Sequence, residues 1–264
     1  MLTAVKNQIK VCLLSTKYGI MKEMTNKLTF SMDIIFMILN NASFIIQWIV
    51  LYSLKDDIGG YTLNQVLLLW GTASATFGFS HFFFKRAFSI SDTITNGKLD
   101  SYLVQPKNVL LMAITSDVEP SALGDVLYGY IILFITGITL PKFLLFTLFT
   151  LCGGIIIVSI AVLLGSISFW IGKSDTVADT GNNLITSFAT YPDGIFKGLT
   201  RLLLFTLIPV GFIVYVPVKV LTEFDIIQLL SVFGIAVGFT IITFIVFNRG
   251  LKRYTSSSLM ISKI

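Results

Sequence analysis

Ser91-Asp92-Thr93-Ile94-Thr95-Asn96-Gly97-Lys98-Leu99-Asp100-Ser101-Tyr102-Leu103-Val104-Gln105-Pro106-Lys107-Asn108 is polar and rich in turn residues, and it lies between stretches that read as membrane helix. Residues 63–84 upstream and 143–171 downstream contain no Asp, Glu, Lys or Arg. Residues 91–108 are the largest clearly water-facing stretch between the first spans. A chain with one structured polar knuckle and no soluble domain reads as the moving half of a machine whose engine lies on another polypeptide.

Composition sets the class. Of the 264 residues, 55% are hydrophobic and 12% charged, and the mean hydropathy is +0.85. Soluble domains carry about 25% charged residues, so the expectation is an all-α integral membrane protein. A span needs roughly 20 apolar residues, which allows about six spans with short connections and leaves no separate soluble domain. Lys6, Lys10, Lys17, Lys22 and Lys27 are spread through the first 27 residues, unlike a secretory signal. Leu2, Val5, Ile9, Cys12 and Leu13 recur at helical spacing among them, which predicts an interfacial amphipathic helix over residues 1–27.

The spans are expected at residues 28–54, 63–84, 124–140, 143–171 and 226–247, with one more between the last two. For that one the sequence leaves two readings open. Hydropathy selects 202–218, a short stretch containing Pro209 and Pro217. In the other reading the chain crosses at 176–191, and 195–218 then dips into the outer leaflet as two half-helices broken at Pro209. Irregular backbone is tolerated at that depth only when buried in protein. Both readings give six crossings. Lysine and arginine fix the orientation: 16 of the 19 fall on the side of the termini and the knuckle under the first reading, 14 under the second. The termini and residues 91–108 are therefore expected in the cytosol, with residues 248–264 as a cytosolic tail. Small residues spaced by four at Gly71/Ala75, Ala161/Gly165 and Gly234/Gly238 permit close helix approach.

The sequence offers little covalent chemistry. Cys12 and Cys152 are too few and too far apart for a metal site or redox pair, and the lone His81 has no partner set for zinc or haem. Gly172-Lys173-Ser174 lacks the glycine that a phosphate-binding loop needs five residues earlier, where Ile167 stands. No catalytic residue and no metal ligand is expected, the chain itself binds no cofactor, and nucleic acid is not an expected partner. Asp33 and Asp125 lie near membrane depth, where acids are functional candidates. Asp33, Asn40 and Gln47 repeat every seven residues, hence on one helix face, which suggests a substrate path or a seam with a second copy. In the knuckle, Asn96-Gly97 marks a turn, and Leu99, Tyr102 and Leu103 form an apolar stripe ended by Pro106, suited to a groove on a soluble partner.

The run Gly97-Lys98-Leu99-Asp100-Ser101-Tyr102-Leu103-Val104-Gln105-Pro106 resembles the segment after the second span of bacterial ABC-type export permeases of the type-2 superfamily. The likeness is closest to a branch long known only as uncharacterised integral membrane proteins. Tyr191-Pro192-Asp193-Gly194-Ile195-Phe196, with Ile208-Pro209-Val210 and Tyr215-Val216-Pro217, looks like that branch's second signature, and Arg253-Tyr254 with Ser256 and Ser258 resembles its tail. The resemblance implies a single permease domain over 1–264, with a cytosolic coupling helix within 90–108 carrying Gly97, Leu99, Tyr102, Leu103 and Pro106. It also implies re-entrant half-helices around Tyr191, Pro192, Pro209 and Pro217. The implied partners are two copies of a separate ATPase, which would hold the ATP and Mg, and a second like or related permease, all in the lipid of the bacterial cytoplasmic membrane. The implied activity is export of a hydrophobic or amphipathic cargo, such as a drug or toxic cation, a lipid or a glycan. The rival readings are an ion-coupled secondary transporter using Asp33 and Asp125, and a membrane protein with no transport role.

Overall fold

The computed structural model describes residues 2–255, and side chains from residue 5. The tail residues Ser256 and Ser258 lie outside the described residues, as does most of the expected 248–264 tail. Helix α1 spans Leu2–Glu23, α2 Lys27–Leu54 and α3 Leu63–Phe84. A tight turn at Lys85–Ser89 leads into three short helices, α4 (Ile90–Thr95), α5 (Asp100–Leu103) and α6 (Val109–Ile114). Then come α7 (Ala122–Ile135), α8 (Leu140–Ser166), α9 (Ser168–Ile171) and α10 (Asp175–Ala189). Helix α11 (Gly198–Thr206) is followed by a π-turn (Gly211–Tyr215) that runs into α12 (Val216–Thr222), and α13 covers Ile226–Leu251.

Four stretches are long and apolar enough to cross a membrane: α2, α3 with its continuation to Thr95, α8 with α9, and α13. The expectation at 124–140 needs correction. Helix α7 has only 14 residues, about 21 Å at 1.5 Å per residue. It ends before Gly137, whose φ of 98° no helix continues through. Leu140 belongs to the next helix, which Thr139 caps by accepting from the Lys142 N–H, and Pro141 sits in its first turn, where its missing N–H costs nothing. The stretch 202–218 is not one helix either. Helix α11 and the following helical segment are bent by 73° to each other. Pro209 stands in the break, and a Cβ on Gly211 would meet the Phe205 ring at 2.3 Å, so the fold-back needs glycine there.

Contacts sort the connections into two ends. At the knuckle end, Ser91 on α4 hydrogen-bonds Ser168 and Ser174 of the α8–α10 connection. Tyr254 after α13 bonds Asp100 on α5, and Gln8 on α1 accepts from the Asn108 N–H at 2.9 Å. At the far end, the α2–α3 connection packs against Pro192 and Ile195, just after α10. Pro141 and Lys142 share a hollow with Val220 to Phe224 at the end of α12. Helix α10 therefore runs from the knuckle end to the far end, whereas the α11–α12 pair begins and finishes at the far end.

Small residues set the packing of α7. A Cβ on Gly129 would lie 2.5 Å from the Gly71 carbonyl and 2.6 Å from the Ala75 Cβ. One on Gly78 would lie 2.7 Å from the Ala122 carbonyl, and one on Gly124 2.5 Å from the Ile34 carbonyl of α2. Helix α7 is thus wedged between α3 and α2. The Ala161/Gly165 pair works the same way, since Gly165 leaves room for Ile90 of α4. A Cβ on Gly234 or Gly238 of α13 would meet nothing within 4 Å among the described residues.

The apolar residues Val5, Ile9 and Leu13 of α1 are exposed, as are Lys6 and Lys10 beside them. We expect Gly129→Ala to cost about 1–3 kcal/mol through overpacking, seen as a lower Tm for the detergent-purified protein. Gly234→Ala should leave the Tm unchanged. Equal effects of the two would mean that the α3–α7 approach is not tight.

Candidate functional site

A cavity of about 590 Å³ opens between α2, α3, the start of α7 and the end of α10. From α2 it is lined by Met37, Asn40, Asn41 and Phe44, and along α3 it extends from Trp70 to His81. Eleven residues of helix are about 16 Å, so the cleft follows the helices lengthwise. Thr186, Ser187, Thr190 and Tyr191 contribute the α10 wall. At the far end Tyr191 packs edge-on to Trp48, with ring centroids 6.0 Å apart. Phe44 stacks on Trp70 at 5.2 Å and 21°.

The cleft's acids differ in their compensation. Glu119 forms an ion pair with Lys85 at 2.7 Å. The Asp125 carboxylate accepts from the Asn41 amide at 2.5 Å, while Ser74 donates to the Asp125 backbone carbonyl at 2.9 Å. No ion pair to Asp125 occurs among the described residues. Asn41 is legible in the sequence as a polar residue of α2, but not as a site residue. The seven-residue repeat selected Asp33, Asn40 and Gln47, all of which are exposed on α2; of these only Asn40 borders the cleft. Asn41, one step round the helix, faces α7 and also donates to the Met37 carbonyl. A polar residue at a glycine-spaced contact was the signal available: Gly124 brings α2 against the start of α7, next to Asp125.

The knuckle is not one amphipathic helix. Helix α4 is followed by a turn with Gly97 at φ 71°, then by the single helical turn α5. Leu99 is fully buried with Ile90, Ile94 and Leu110, and Tyr102 packs against the same cluster. Leu99 is therefore not available to a partner, which corrects its assignment to an outward stripe. The hydrophobic interior needed an anchor at the base of the turn, and Leu99 serves it. The exposed apolar surface is the tip: Leu103 at 43%, Val104 at 84%, and the exposed Pro106.

Two buried polar joints tie these parts together. At the knuckle end, Ser168 Oγ donates to Ser91 Oγ at 2.6 Å, the Ser174 N–H donates to the same oxygen at 3.1 Å, and the Ser168 and Ser174 hydroxyls are 2.7 Å apart. All three serines are buried. At the far end, Asp193 is 2% exposed and accepts from Tyr61 Oη at 2.7 Å and from Arg201 at 3.1 Å, with Lys219 Nζ 3.5 Å away. Burial and this carboxylate push the Tyr61 phenol above the usual tyrosine range. Gly194 lies so close to the Gly59 carbonyl that a Cβ would be 1.8 Å from it. Pro192 is buried beside Gly59, Pro209 and Pro217 are buried in the α11–α12 pair, and Tyr215 donates to the Phe188 carbonyl of α10 at 2.6 Å. One carboxylate thus joins the α2–α3 connection to α11 and α12.

Among the described residues no group of His, Cys, Asp and Glu is placed to hold a metal ion. No curated protein and no solved structure matches the chain. The family model of the ABC-2 family transporter proteins matches residues 37–258, a stretch holding the cleft, the knuckle and the far-end joint. The chain is an integral membrane protein of the ABC-2 transporter family.

Proposed function

We propose that this chain is the permease subunit of an ATP-driven exporter in a bacterial cytoplasmic membrane, working as a dimer with two copies of a separate ATPase. Membership of the ABC-2 family supports the permease role. The observation that carries the mechanism is the buried serine joint. It fixes the base of an exposed apolar tip to the connection between α8 and α10, and α10 forms one wall of the cleft. A push on Leu103, Val104 and Pro106 would pass through Ser91 to Ser168 and Ser174 and shift α10 against α2. ATP and Mg belong on the partner, since this chain has no phosphate-binding loop. Six crossings are proposed: α2, α3, α7, α8 with α9, α10 and α13, with α11 and α12 as a re-entrant hairpin. The far-end location of both ends of the α11–α12 pair supports this reading. The charge asymmetry of the sequence supports cytosolic termini and a cytosolic knuckle. The ion-coupled alternative keeps one of its two acids at the cleft, because Asp33 is exposed on α2 and does not border it.

Orientation is tested by single cysteines placed at Gln105, Asp57 and Lys197 after Cys12 and Cys152 are replaced by serine. Gln105 should be labelled from the cytosol only, and Asp57 and Lys197 from outside only. External labelling at Gln105 would overturn the proposal.

Coupling is tested at the tip. Leu103→Ser with Val104→Ser should weaken ATPase binding by about 30-fold, equivalent to about 2 kcal/mol, so that the two proteins no longer purify together while the permease keeps its Tm. Leu99→Ala should instead lower the Tm, since opening a buried leucine site costs about 2–5 kcal/mol. Normal co-purification of the tip variant would move the partner contact elsewhere.

A further inference from the structure

We infer that the cleft between α2, α3, α7 and α10 binds an amphipathic organic cation, with the Asp125 carboxylate as its counter-charge and the stacked Phe44–Trp70 pair as an aromatic wall. This names the cargo class of the proposed exporter and rests on that reading. The site is built of three features that converge. The first is charge. The chain carries a net charge of +5, yet neither lysine nor arginine lines this cavity. Of its two acids, Glu119 is neutralised by Lys85, whereas Asp125 has an amide for a partner. An acid held at membrane depth with no ion pair is costly unless something in the path supplies the opposite charge.

The second feature is the nature of the walls. Phe44, Trp70, Phe77 and Tyr191 offer ring surface, and a cation near an aromatic face gains most from such contact when it is desolvated. A small hydrated ion would not use these rings, but a cation with an apolar body would. Amide and hydroxyl groups of Asn40, Thr186 and Ser187 face the same space and can solvate polar substituents without adding charge. The third feature is size. Pockets for drug-sized ligands are about 300–1,000 Å³, and this one is about 590 Å³.

The test uses tetraphenylphosphonium and the purified full-length permease, with binding measured by equilibrium dialysis. The wild type should bind saturably. Asp125→Asn retains an oxygen to accept from the Asn41 amide, so a purely structural role for Asp125 survives it while the charge is lost. Its affinity should fall about tenfold or more with the Tm kept. Phe44→Leu should weaken binding about threefold, and Asp33→Asn should not change it. Triphenylphosphine oxide, bulky and neutral, should not compete. Absence of saturable binding by the wild type, wild-type affinity in Asp125→Asn, or full competition by the neutral compound would each overturn the assignment. Should Asp125→Asn fail to fold, Phe44→Leu and the neutral competitor decide. Co-purification with the ATPase and the cysteine labelling pattern do not depend on the cargo, so failure here leaves the permease reading to its own tests.

Discussion

The close approach of α3 to α7 is the constraint on which the rest depends. In lipid there is little hydrophobic gain from bringing two apolar helices together, so association relies on packing and interhelical hydrogen bonds. Gly71, Ala75 and Gly78 on one side and Gly129 on the other let backbone meet backbone. Helix α7 is only 14 residues long and has few other ways to hold its place. Its position in turn sets where Asp125 stands. Gly124 then admits α2 so closely that Asn41 reaches that carboxylate. The cleft is what remains between α2 and α10 once α7 has drawn α2 and α3 together at one end.

Two joints of different chemistry limit how that cleft can change. The serine joint at the knuckle end is short, each hydroxyl in it has a partner, and the Asp175 carboxylate also bonds Ser91. The far-end joint is ionic. One buried carboxylate collects a phenol and two cations whose own side chains are about half exposed. Losing a partner there leaves a buried charge short of compensation, which is far more costly than losing a surface pair. Tyr191, which meets Trp48 edge-on, lies two residues before the carboxylate of this joint.

Much of this was legible in the sequence, for physical reasons that differ by site. Uninterrupted apolar runs gave α2, α3, α8 and α13, because length and hydropathy are enough to specify a buried or lipid-facing helix. Pro209 announced the break between α11 and α12, and Asn96-Gly97 the left-handed turn, since few other residues suit such backbone. The end of α7 was misplaced because apolar residues continue across Gly137, and a glycine's φ is set by its surroundings. Leu99 was misassigned for a related reason: periodicity shows that apolar residues share a face, but not whether that face looks inward. The seven-residue repeat on α2 selected exposed residues, of which only Asn40 borders the cleft, and Asn41, one residue off that register, makes the contact with α7. Asp193 read only as part of a signature; its role as a joint depends on Tyr61, 132 positions away, which no local pattern reports.

The bond from Tyr254 to Asp100 joins positions 154 residues apart. Tyr254 also packs edge-on to Phe169, and Phe169 to Phe247. The base of the knuckle therefore gains this support only after α13 has been made. During synthesis the knuckle emerges well before this brace exists. Its finished shape thus acts as a signature of completeness: a chain cut short before Tyr254 presents the same tip residues on a base that lacks this brace.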